Sequence, residues 1–382
     1  MAVYLSLKEI WRLRGRFLLI SLVIALITLL VLFVAGLAEG LGAGNIEYLS
    51  KLNADLVVFQ ENSQQSVSAS RIDRSKLNDV ARLDGVKAAG PIGVSNAQVI
   101  LPNNAKPLDV SLLGVEPGRP GDVPVTQGRT FESRRANEVV IDLNTAARTK
   151  LNVGDAITLK TVQGTDEKLY TLTVVGITDG RQYFLRPSIF APDITWDKIR
   201  TKGSGSTGDI PYNVIAVQLT DPSRVKDMLT LIPQQVERVE TADIVTTYKK
   251  TPGYQEQQAT LDTQRIFTLI IGVLVIGGFF QIQTLQKVPQ IGMLKAIGAP
   301  SRTVAIASIF QVTVVTVIGV FIGAAFTLML AANFPVTVPI VFKANSTAIA
   351  IASLLLIGPV GGLVSVRYSL RIEPLRALGL GG

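Results

Sequence analysis

The sequence contains no cysteine and no histidine among its 382 residues. Without cysteine, an exported domain cannot be held by disulfides and must bury an apolar core, and thiol nucleophiles are excluded. The two absences exclude zinc sites built from cysteine or histidine, and the missing histidine excludes a Ser-His-Asp triad. The chain also lacks the G-x-x-x-x-G-K-[ST] phosphate-binding motif, so we do not expect it to hydrolyse ATP by that route.

Acid–base enzymes are not favoured either. Asp142 with Asp155, and Asp179 with Asp193, are pairs that general acid–base chemistry could use. Segment 39–264 holds 27 acidic residues, so such pairs arise by chance, and we interpret these acids as solvated surface. The sequence therefore predicts no catalytic residue, no metal ligand and no cofactor site.

Four long uncharged runs occupy 17–38, 266–282, 304–332 and 347–366. Runs of about 18 or more apolar residues are long enough to cross roughly 30 Å of hydrocarbon as helices, and 266–282 is the shortest of the four. The first run exceeds the roughly 7–15 apolar residues of a signal peptide, so we expect an uncleaved membrane anchor. None of the runs contains an acid, which argues against an ion-coupled transporter.

The net charge of +8 is unevenly distributed along the chain. Segment 39–264 carries 25 Lys and Arg against 27 Asp and Glu, whereas the rest carries 12 against 2. Because cytoplasmic loops of membrane proteins are enriched in Lys and Arg, we expect both termini and the connector 283–303 to be cytoplasmic. Segments 39–265 and 333–346 are then external. The basic residues are interpreted as topology signals rather than as a nucleic-acid-binding face.

The predicted fold class is an α-helical membrane domain of four transmembrane helices plus a mixed α+β extracytoplasmic domain inserted between helices 1 and 2. The predicted order is a cytoplasmic leader at 1–16, transmembrane helix 1 at 17–38, the extracytoplasmic domain at 39–265, helix 2 at 266–282, a cytoplasmic segment at 283–303, helix 3 at 304–332, an external loop at 333–346, helix 4 at 347–366 and a cytoplasmic tail at 367–382.

Inside the extracytoplasmic domain, a strand–helix–strand pattern occurs twice. The first begins with LVVF at 56–59 and the second with NVIAVQLT at 213–220, after which Asp221 and Pro222 signal a helix start. We expect the two units to pack together.

Between these units the sequence predicts an insertion. The packed parts extend over about 52–118 and 210–248, which leaves about 120–205 as an inserted subdomain. EVVID at 138–142 is one of its predicted strands. KGSGSTGD at 202–209 predicts a flexible Gly/Ser link out of it.

The connector between the second and third runs, QKVPQIGMLKAIGAPSRT, predicts a short helix. Pro289 suits a first helical turn and Gly298 the residue past the end, while Ile291, Leu294 and Ile297 recur at about helical spacing. Two turns of helix are too short to be stable alone in water, so the helix needs something to pack against. Composition alone leaves lipid headgroups and a cytoplasmic protein equally open as that surface.

Glycines at i and i+4 recur in the apolar runs, at Gly36/Gly40, Gly319/Gly323 and Gly358/Gly362. This spacing lets helix backbones approach closely. It predicts close helix packing, either within the chain, which we favour, or between two copies.

Three stretches carry a resemblance to a known family. QIGMLKAIGA at 290–299 resembles the R-E-I-G-x-L-K-A-[IL]-G-A signature of FtsX-like permeases, the MacB-type membrane subunits of ABC transporters. The stretch 138–177, which begins EVVIDLNTAARTKLNVGDAITL and ends YTLTVVGI, resembles part of their outer domain, and VRYSLRIEPLRALG at 366–379 resembles their ending. The layout of one span, a large outer domain and three spans is similar to the DevC-like exporters of this group.

The resemblance implies that the connector is a coupling helix that docks on a separate cytoplasmic ABC ATPase. That subunit would bind ATP, so this chain would need no cofactor and would not itself be an enzyme. The implied partner-binding residues are Pro289, Gln290, Ile291, Gly292, Met293, Leu294, Lys295, Ala296, Ile297 and Gly298, with Ile291, Met293, Leu294 and Ile297 as apolar anchors. Where the family often has Arg-Glu before Ile-Gly, this chain has Pro289-Gln290.

The family also implies a multi-pass protein of the cell (inner) membrane that works as a homodimer, in contact with lipid and with a periplasmic adaptor protein. Its implied function is to couple ATP hydrolysis to movement of the outer domain and so to drive export or extraction of a substrate. The alternative is an FtsX-type signalling subunit that activates a cell-wall hydrolase without transporting anything. Lipoprotein, peptide, glycolipid and drug are all open as cargo.

Overall fold

A computed structural model describes residues 2–102, 106–202, 211–296, 300–333 and 340–371. Positions 203–209 of the predicted Gly/Ser link, 297–298 at the end of the predicted coupling helix, 334–339 of the external loop and 372–382 of the tail lie outside the described residues. The chain divides into two compact units. One comprises 1–40 with 258–382, and the other comprises 41–257.

The helices are α1 (Ala2–Arg12), α2 (Arg14–Ser50), α3 (Arg74–Ala81), α4 (Leu143–Thr149), α5 (Asp193–Ile199), α6 (Val225–Gln235), α7 (Ile244–Lys249), α8 (Tyr254–Gln286), α9 (Val288–Ala296), α10 (Ser301–Asn333) and α11 (Ala344–Arg371), with a 3₁₀ turn at Pro222–Arg224. The strands are β1 (Leu56–Gln60), β2 (Val86–Val99), β3 (Leu108–Val115), β4 (Gln127–Gly128), β5 (Glu138–Asp142), β6 (Ala156–Gln163), β7 (Asp166–Thr178), β8 (Ser188–Pro192), β9 (Val214–Leu219) and β10 (Val239–Asp243).

In the described part of the chain, four helices are long and apolar enough to cross a membrane: Arg14–Ser50, Tyr254–Gln286, Ala305–Asn333 and Ala344–Gly362. The 37 residues of α2 extend over about 55 Å at 1.5 Å per residue, well beyond the roughly 30 Å of a hydrocarbon layer. Both α2 and α8 continue from the helical unit into the unit 41–257 without a break in the helix.

Glycines let the membrane helices pack closely within the chain. A Cβ added to Gly319 of α10 would lie 2.6 Å from Ile24 Cβ of α2, and one added to Gly323 would lie 2.5 Å from Ala25 O. A Cβ on Gly358 of α11 would lie 2.0 Å from the Thr316 hydroxyl oxygen of α10. These positions therefore admit no larger residue without separation of the helices.

A polar contact at Glu39 fixes α2 against the segment that precedes α11. The Lys343 ammonium pairs with a Glu39 carboxylate oxygen at 2.7 Å, and the Ser346 hydroxyl donates to the other oxygen of Glu39. Nearby, the Val341 backbone N–H donates to the Gly36 carbonyl at 3.0 Å.

The unit 41–257 is built on a ten-stranded sheet with the order β10-β1-β9-β2-β3-β8-β5-β7-β4, with β6 paired to β2 and β7. The units β1–α3–β2 and β9–α6–β10 interleave their strands, so that each strand of one lies beside a strand of the other. All these contacts are antiparallel, as in a split β-α-β pair. The two predicted strand–helix–strand units thus pack together.

Apolar cores cover both faces of this sheet. Leu56 and Val58 of β1 contribute to the core under α3 and α6, while Val57 and Phe59 contribute to a second core with Tyr48 of α2. A strand buried on both faces reads as an uninterrupted apolar run, which is why LVVF does not alternate with polar residues.

The predicted insertion shares this sheet with the interleaved units. EVVID forms β5, and β8 pairs in parallel with β3, aligning Leu112 with Ile189. Strand pairing therefore crosses the predicted boundary near residue 120, and the region has no separate sheet of its own.

Asp221 caps the start of a helical turn, as the sequence predicts. The Asp221 side chain accepts from Ser223 N at 2.9 Å. It caps the 3₁₀ turn, and α6 follows from Val225.

Two glycines create the space for the largest buried side chain of the sheet domain. Trp196 of α5 is 1% exposed and lies over Gly93 of β2 and Gly114 of β3, which are cross-strand neighbours. A Cβ at either glycine would lie 2.4 Å from the indole. The Trp196 Nε1 donates to Ser95 Oγ at 3.0 Å, which fixes the ring.

We therefore expect Gly114→Ala to lower the free energy of unfolding by about 1–3 kcal/mol, because the added methyl group displaces the indole. Thermal unfolding of the β-sheet signal in circular dichroism measures the loss. In the double variant with Trp196→Leu, the cost of Gly114→Ala should largely disappear. An equal cost with and without the indole would contradict this account of the packing.

Candidate functional site

The predicted coupling segment forms a short helix directly after a membrane helix. Helix α8 ends at Gln286, Lys287 forms a turn, and α9 begins at Val288. Pro289 is its second residue, where a missing N–H costs no hydrogen bond. Met293 is 59% exposed, whereas the side chains of the other three predicted anchors lie outside the described part of the structure.

Lys287 joins three helices at the junction between α8 and α9. Its ammonium group pairs with Glu9 of α1 and lies 3.2 Å from Gln311 Oε1 of α10. Gln311 Nε2 donates to the second Glu9 oxygen at 2.7 Å, so each of the three side chains contacts the other two. The ammonium group also lies 5.7 Å from the centroid of the Phe17 ring, within the range of a cation–π contact.

These three polar side chains are largely shielded from solvent. The Lys287 side chain is 15% exposed and that of Glu9 is 31% exposed. Next to them, the Ser6 hydroxyl of α1 donates to Ala307 O of α10 at 3.1 Å. The start of α9 is thereby fixed to α1 and α10. We call Glu9, Lys287 and Gln311 the junction cluster.

Sequence reasoning missed the junction cluster. It treated Lys287 only as a topology signal and gave no role to Glu9. Glu9 is the single acid of the basic leader 1–16, a signal that could have marked it. Its partner Gln311 lies 302 positions away, a distance that no local pattern bridges.

The acids considered for acid–base chemistry have structural partners instead. Asp142 is fully buried and caps α4, accepting from Thr145 N at 2.7 Å and Thr145 Oγ1 at 2.6 Å. Burial raises the pKa of this carboxyl, and its hydrogen bonds oppose that rise only in part. Asp155 accepts from Asn152 N at 2.7 Å in an exposed turn.

The second pair is likewise engaged. Asp193 is fully buried between Arg134 and the Tyr212 hydroxyl, which donates to it at 2.8 Å. The interpretation as solvated surface is therefore wrong for Asp142 and Asp193, because their hydrogen bonds offset the cost of burial. Among the described residues, no group of three or more acids is placed to hold a metal ion.

Asp179 belongs to a network that holds the end of α2. Burial alone would raise its pKa, but the hydrogen bond and charge of Arg181, with those of Lys51, lower it below the usual value. The Lys51 ammonium lies 3.2 Å from Asp179 and 2.9 Å from Glu47, and it donates to the Gly180 carbonyl at 2.6 Å.

Backbone hydrogen bonds tie the same loop, 179–187, to α2. Tyr48 N donates to Gln182 O at 3.0 Å, and Phe184 N and Leu185 N donate to the carbonyls of Asn45 and Gly44. Phe184 and Leu185 have φ values of 54° and 60°, a left-handed conformation that costs energy for residues with a Cβ. The bonds to α2 stabilise this loop shape.

Comparisons with known proteins agree across the chain. The family model for the MacB-like periplasmic core domain matches residues 17–235, and that for the FtsX-like permease C-terminal region matches 266–374. A Staphylococcus haemolyticus protein named hemin transport system permease protein HrtB is 26% identical over 98% of this chain and 99% of its own length. An uncharacterised ABC transporter permease of Mycobacterium bovis is 23% identical over 99% of both chains.

Solved structures of outer domains are also similar. The extracellular domain of the ABC-type transporter YknZ from Gram-positive bacteria is 17% identical, with a TM-score of 0.36, and the match covers 49% of this chain and 99% of that one. The periplasmic region of MacB from Actinobacillus actinomycetemcomitans is 15% identical, with a TM-score of 0.37, over 53% of this chain and 95% of that one.

The junction cluster makes a charge-specific prediction. Lys287→Glu or Glu9→Lys alone should lower the free energy of unfolding by roughly 1–3 kcal/mol, between the values typical of exposed and of buried pairs. The exchange variant that carries both should regain most of that loss. Thermal unfolding of the purified chain in detergent measures this, with Arg302→Glu as the control at an exposed cation. An exchange variant no more stable than the single variants would refute the pairing.

Proposed function

Because the chain belongs to the permeases that join a MacB-like periplasmic core domain to an FtsX-like membrane part, we propose that it transmits work from a separate ATPase to its own outer domain. The protein is the membrane subunit of an ABC transporter. Its sequence has no phosphate-binding motif, so ATP is bound and hydrolysed by the partner subunit.

The observation that carries the proposal is the arrangement at Lys287. A single residue separates α9 from α8, and α8 continues unbroken from Gln286 to Tyr254 in the unit 41–257. A force on α9 therefore acts on the end of a helix whose other end belongs to the outer domain. The junction cluster adds contacts to α1, and α2 follows α1 after one residue.

The docking surface is α9 itself, with Pro289 to Gly298 as the proposed contact segment. Ile291, Met293, Leu294 and Ile297 enter a groove on the ATPase, and Lys295 lies at its rim. An apolar helix face in a groove is a common recognition mode, in which a few anchors supply most of the affinity. Both termini and α9 lie on the cytoplasmic side. The working unit is a homodimer with two ATPases and an external adaptor protein.

The cargo we propose is hemin or a similar flat amphiphile. This rests on the full-length similarity to proteins named as hemin transport permeases. The chain has no histidine or cysteine to ligate haem iron, which leaves tyrosine and methionine as the usual iron ligands, beside contacts to the apolar faces and carboxylates of the cargo. The outer domain drives its release from the membrane when ATP is hydrolysed.

Replacing Leu294 by Asp should abolish binding of a co-expressed cognate ATPase. A carboxylate in an apolar groove should reduce the amount of co-purified ATPase about tenfold or more. The measurement is the ATPase-to-permease ratio after affinity purification from membranes. Gln286→Asp is the matched control, because it adds the same charge at an exposed site at the end of α8. Normal ATPase yield with inserted Leu294→Asp would exclude α9 as the docking helix.

Hemin transport has a separate test. Liposomes containing the permease and its ATPase should transfer hemin to an external apo-globin faster with internal ATP than with a non-hydrolysable analogue. Soret absorbance follows the transfer, and Leu294→Asp should reduce it to the rate without ATP. Equal rates with and without hydrolysis would exclude hemin as cargo. ATP-dependent activation of a cell-wall hydrolase would then favour the signalling alternative.

A further inference from the structure

The outer domain contains an open cavity of about 560 Å³ that none of the functions above uses. Two arginines, Arg71 and Arg200, line it together with three aromatic residues, Tyr183, Phe184 and Trp196. None of the described residues that line it is acidic. A cavity of this size is in the range that binds small organic molecules.

Arg200 carries positive charge that its partners do not fully neutralise. Arg200 Nε donates to Asp197 Oδ1 at 2.7 Å, and Lys202 Nζ donates to Asp197 Oδ2 at 3.1 Å. One carboxylate is therefore shared by two cations. The Arg200 side chain is 15% exposed, so much of this charge is held away from bulk water.

Arg71 adds a further positive charge near Arg200. Arg71 Nη1 donates to the carbonyls of Ser68 and Ser70, at 2.9 and 2.6 Å, which orient the guanidinium without neutralising it. Burial lowers the pKa of Arg71, and the nearby charge of Arg200 lowers it further. Two cations thus line the cavity with no acidic residue among the described lining, an arrangement that an incoming anion would stabilise.

The aromatic residues of the lining differ in exposure, since Trp196 is 1% and Tyr183 is 5% exposed. The Trp196 ring is held by its hydrogen bond to Ser95, and the Arg200 guanidinium carbon lies 5.4 Å from its centroid. Phe184 is 45% exposed at the cavity. The exposed Phe184 ring suits an apolar group of a ligand, and the arginine forks suit a planar carboxylate.

We propose that this cavity binds an organic carboxylate, with the anionic group between Arg71 and Arg200 and the apolar group against Phe184. The cavity is also connected to both long helices. Tyr183 and Phe184 belong to the loop that α2 holds by backbone hydrogen bonds, and Pro252, also in the lining, precedes α8 by two residues. Movement of either helix end changes the cavity wall, so occupancy and helix position affect each other reciprocally.

Trp196 provides a direct reporter of binding. The chain has two tryptophans, so Trp11→Phe leaves Trp196 as the only one. The full chain in lipid nanodiscs, without ATPase, is titrated with dansylglycine, a carboxylate whose aromatic group accepts energy from tryptophan. We expect saturable quenching of Trp196. Dansylglycinamide, which has the same body without the charge, should give no saturable quenching.

Variants of the two arginines locate the site. Arg71→Gln and Arg200→Gln should each weaken binding about tenfold, the loss typical of one charge-assisted hydrogen bond. Arg71→Lys and Arg200→Lys keep the charge and should retain more affinity than the glutamine variants. Arg82→Gln, at an exposed arginine outside the cavity, should bind as the parent does.

Three results would overturn the proposal: no saturable quenching in the parent, equal affinity for the neutral amide, or unchanged affinity in both glutamine variants while circular dichroism shows an intact sheet. Because no ATPase is present, these results are independent of whether α9 docks on a partner. Failure of the coupling proposal would leave the cavity proposal standing, and the reverse also holds.

Discussion

The exclusion of charge from the four apolar runs is the constraint on which the rest of the structure depends. Hydrocarbon does not solvate ions, so the helices must hold one another by close backbone approach, and Gly319 and Gly323 provide it against α2. Ionic contacts in the helical unit then occur at its ends, as Glu9 with Lys287 at one and Glu39 with Lys343 at the other. The contacts between the middle parts of the helices are therefore apolar or made by backbone and hydroxyl groups.

The outer domain holds the end of α2 with a buried side chain and with main-chain hydrogen bonds. The Tyr48 ring is fully buried, and its hydroxyl donates to Gly121 O at 2.8 Å. The loop 179–187 binds the same helix end through its backbone. Because this loop also forms part of the cavity wall, a ligand and the helix end act on the same few residues.

Sequence reasoning recovered the features that are encoded locally. EVVID is a strand with the predicted bounds, and Asp221 caps a helical turn, because strand patterns and caps depend on neighbouring residues. The apolar run 17–38 correctly indicated a membrane helix but not its extension to Ser50, since polar residues continue a helix without a hydropathy signal. The junction cluster, the burial of Asp193 and the cavity all depend on residues distant in the chain. Hydrophobic periodicity carries no information about such pairings.

The glycine contact with α10 lies much closer to one end of α2 than to the other. Its contact with Gly319 and Gly323 lies near Ile24 and Ala25, about 11 residues from one end and 25 from the other, or roughly 17 and 38 Å at 1.5 Å per residue. A second set of contacts holds the longer arm, because the Val341 backbone N–H donates to the Gly36 carbonyl and Lys343 pairs with Glu39. Held at these two places, α2 cannot tilt about Gly319 and Gly323 alone.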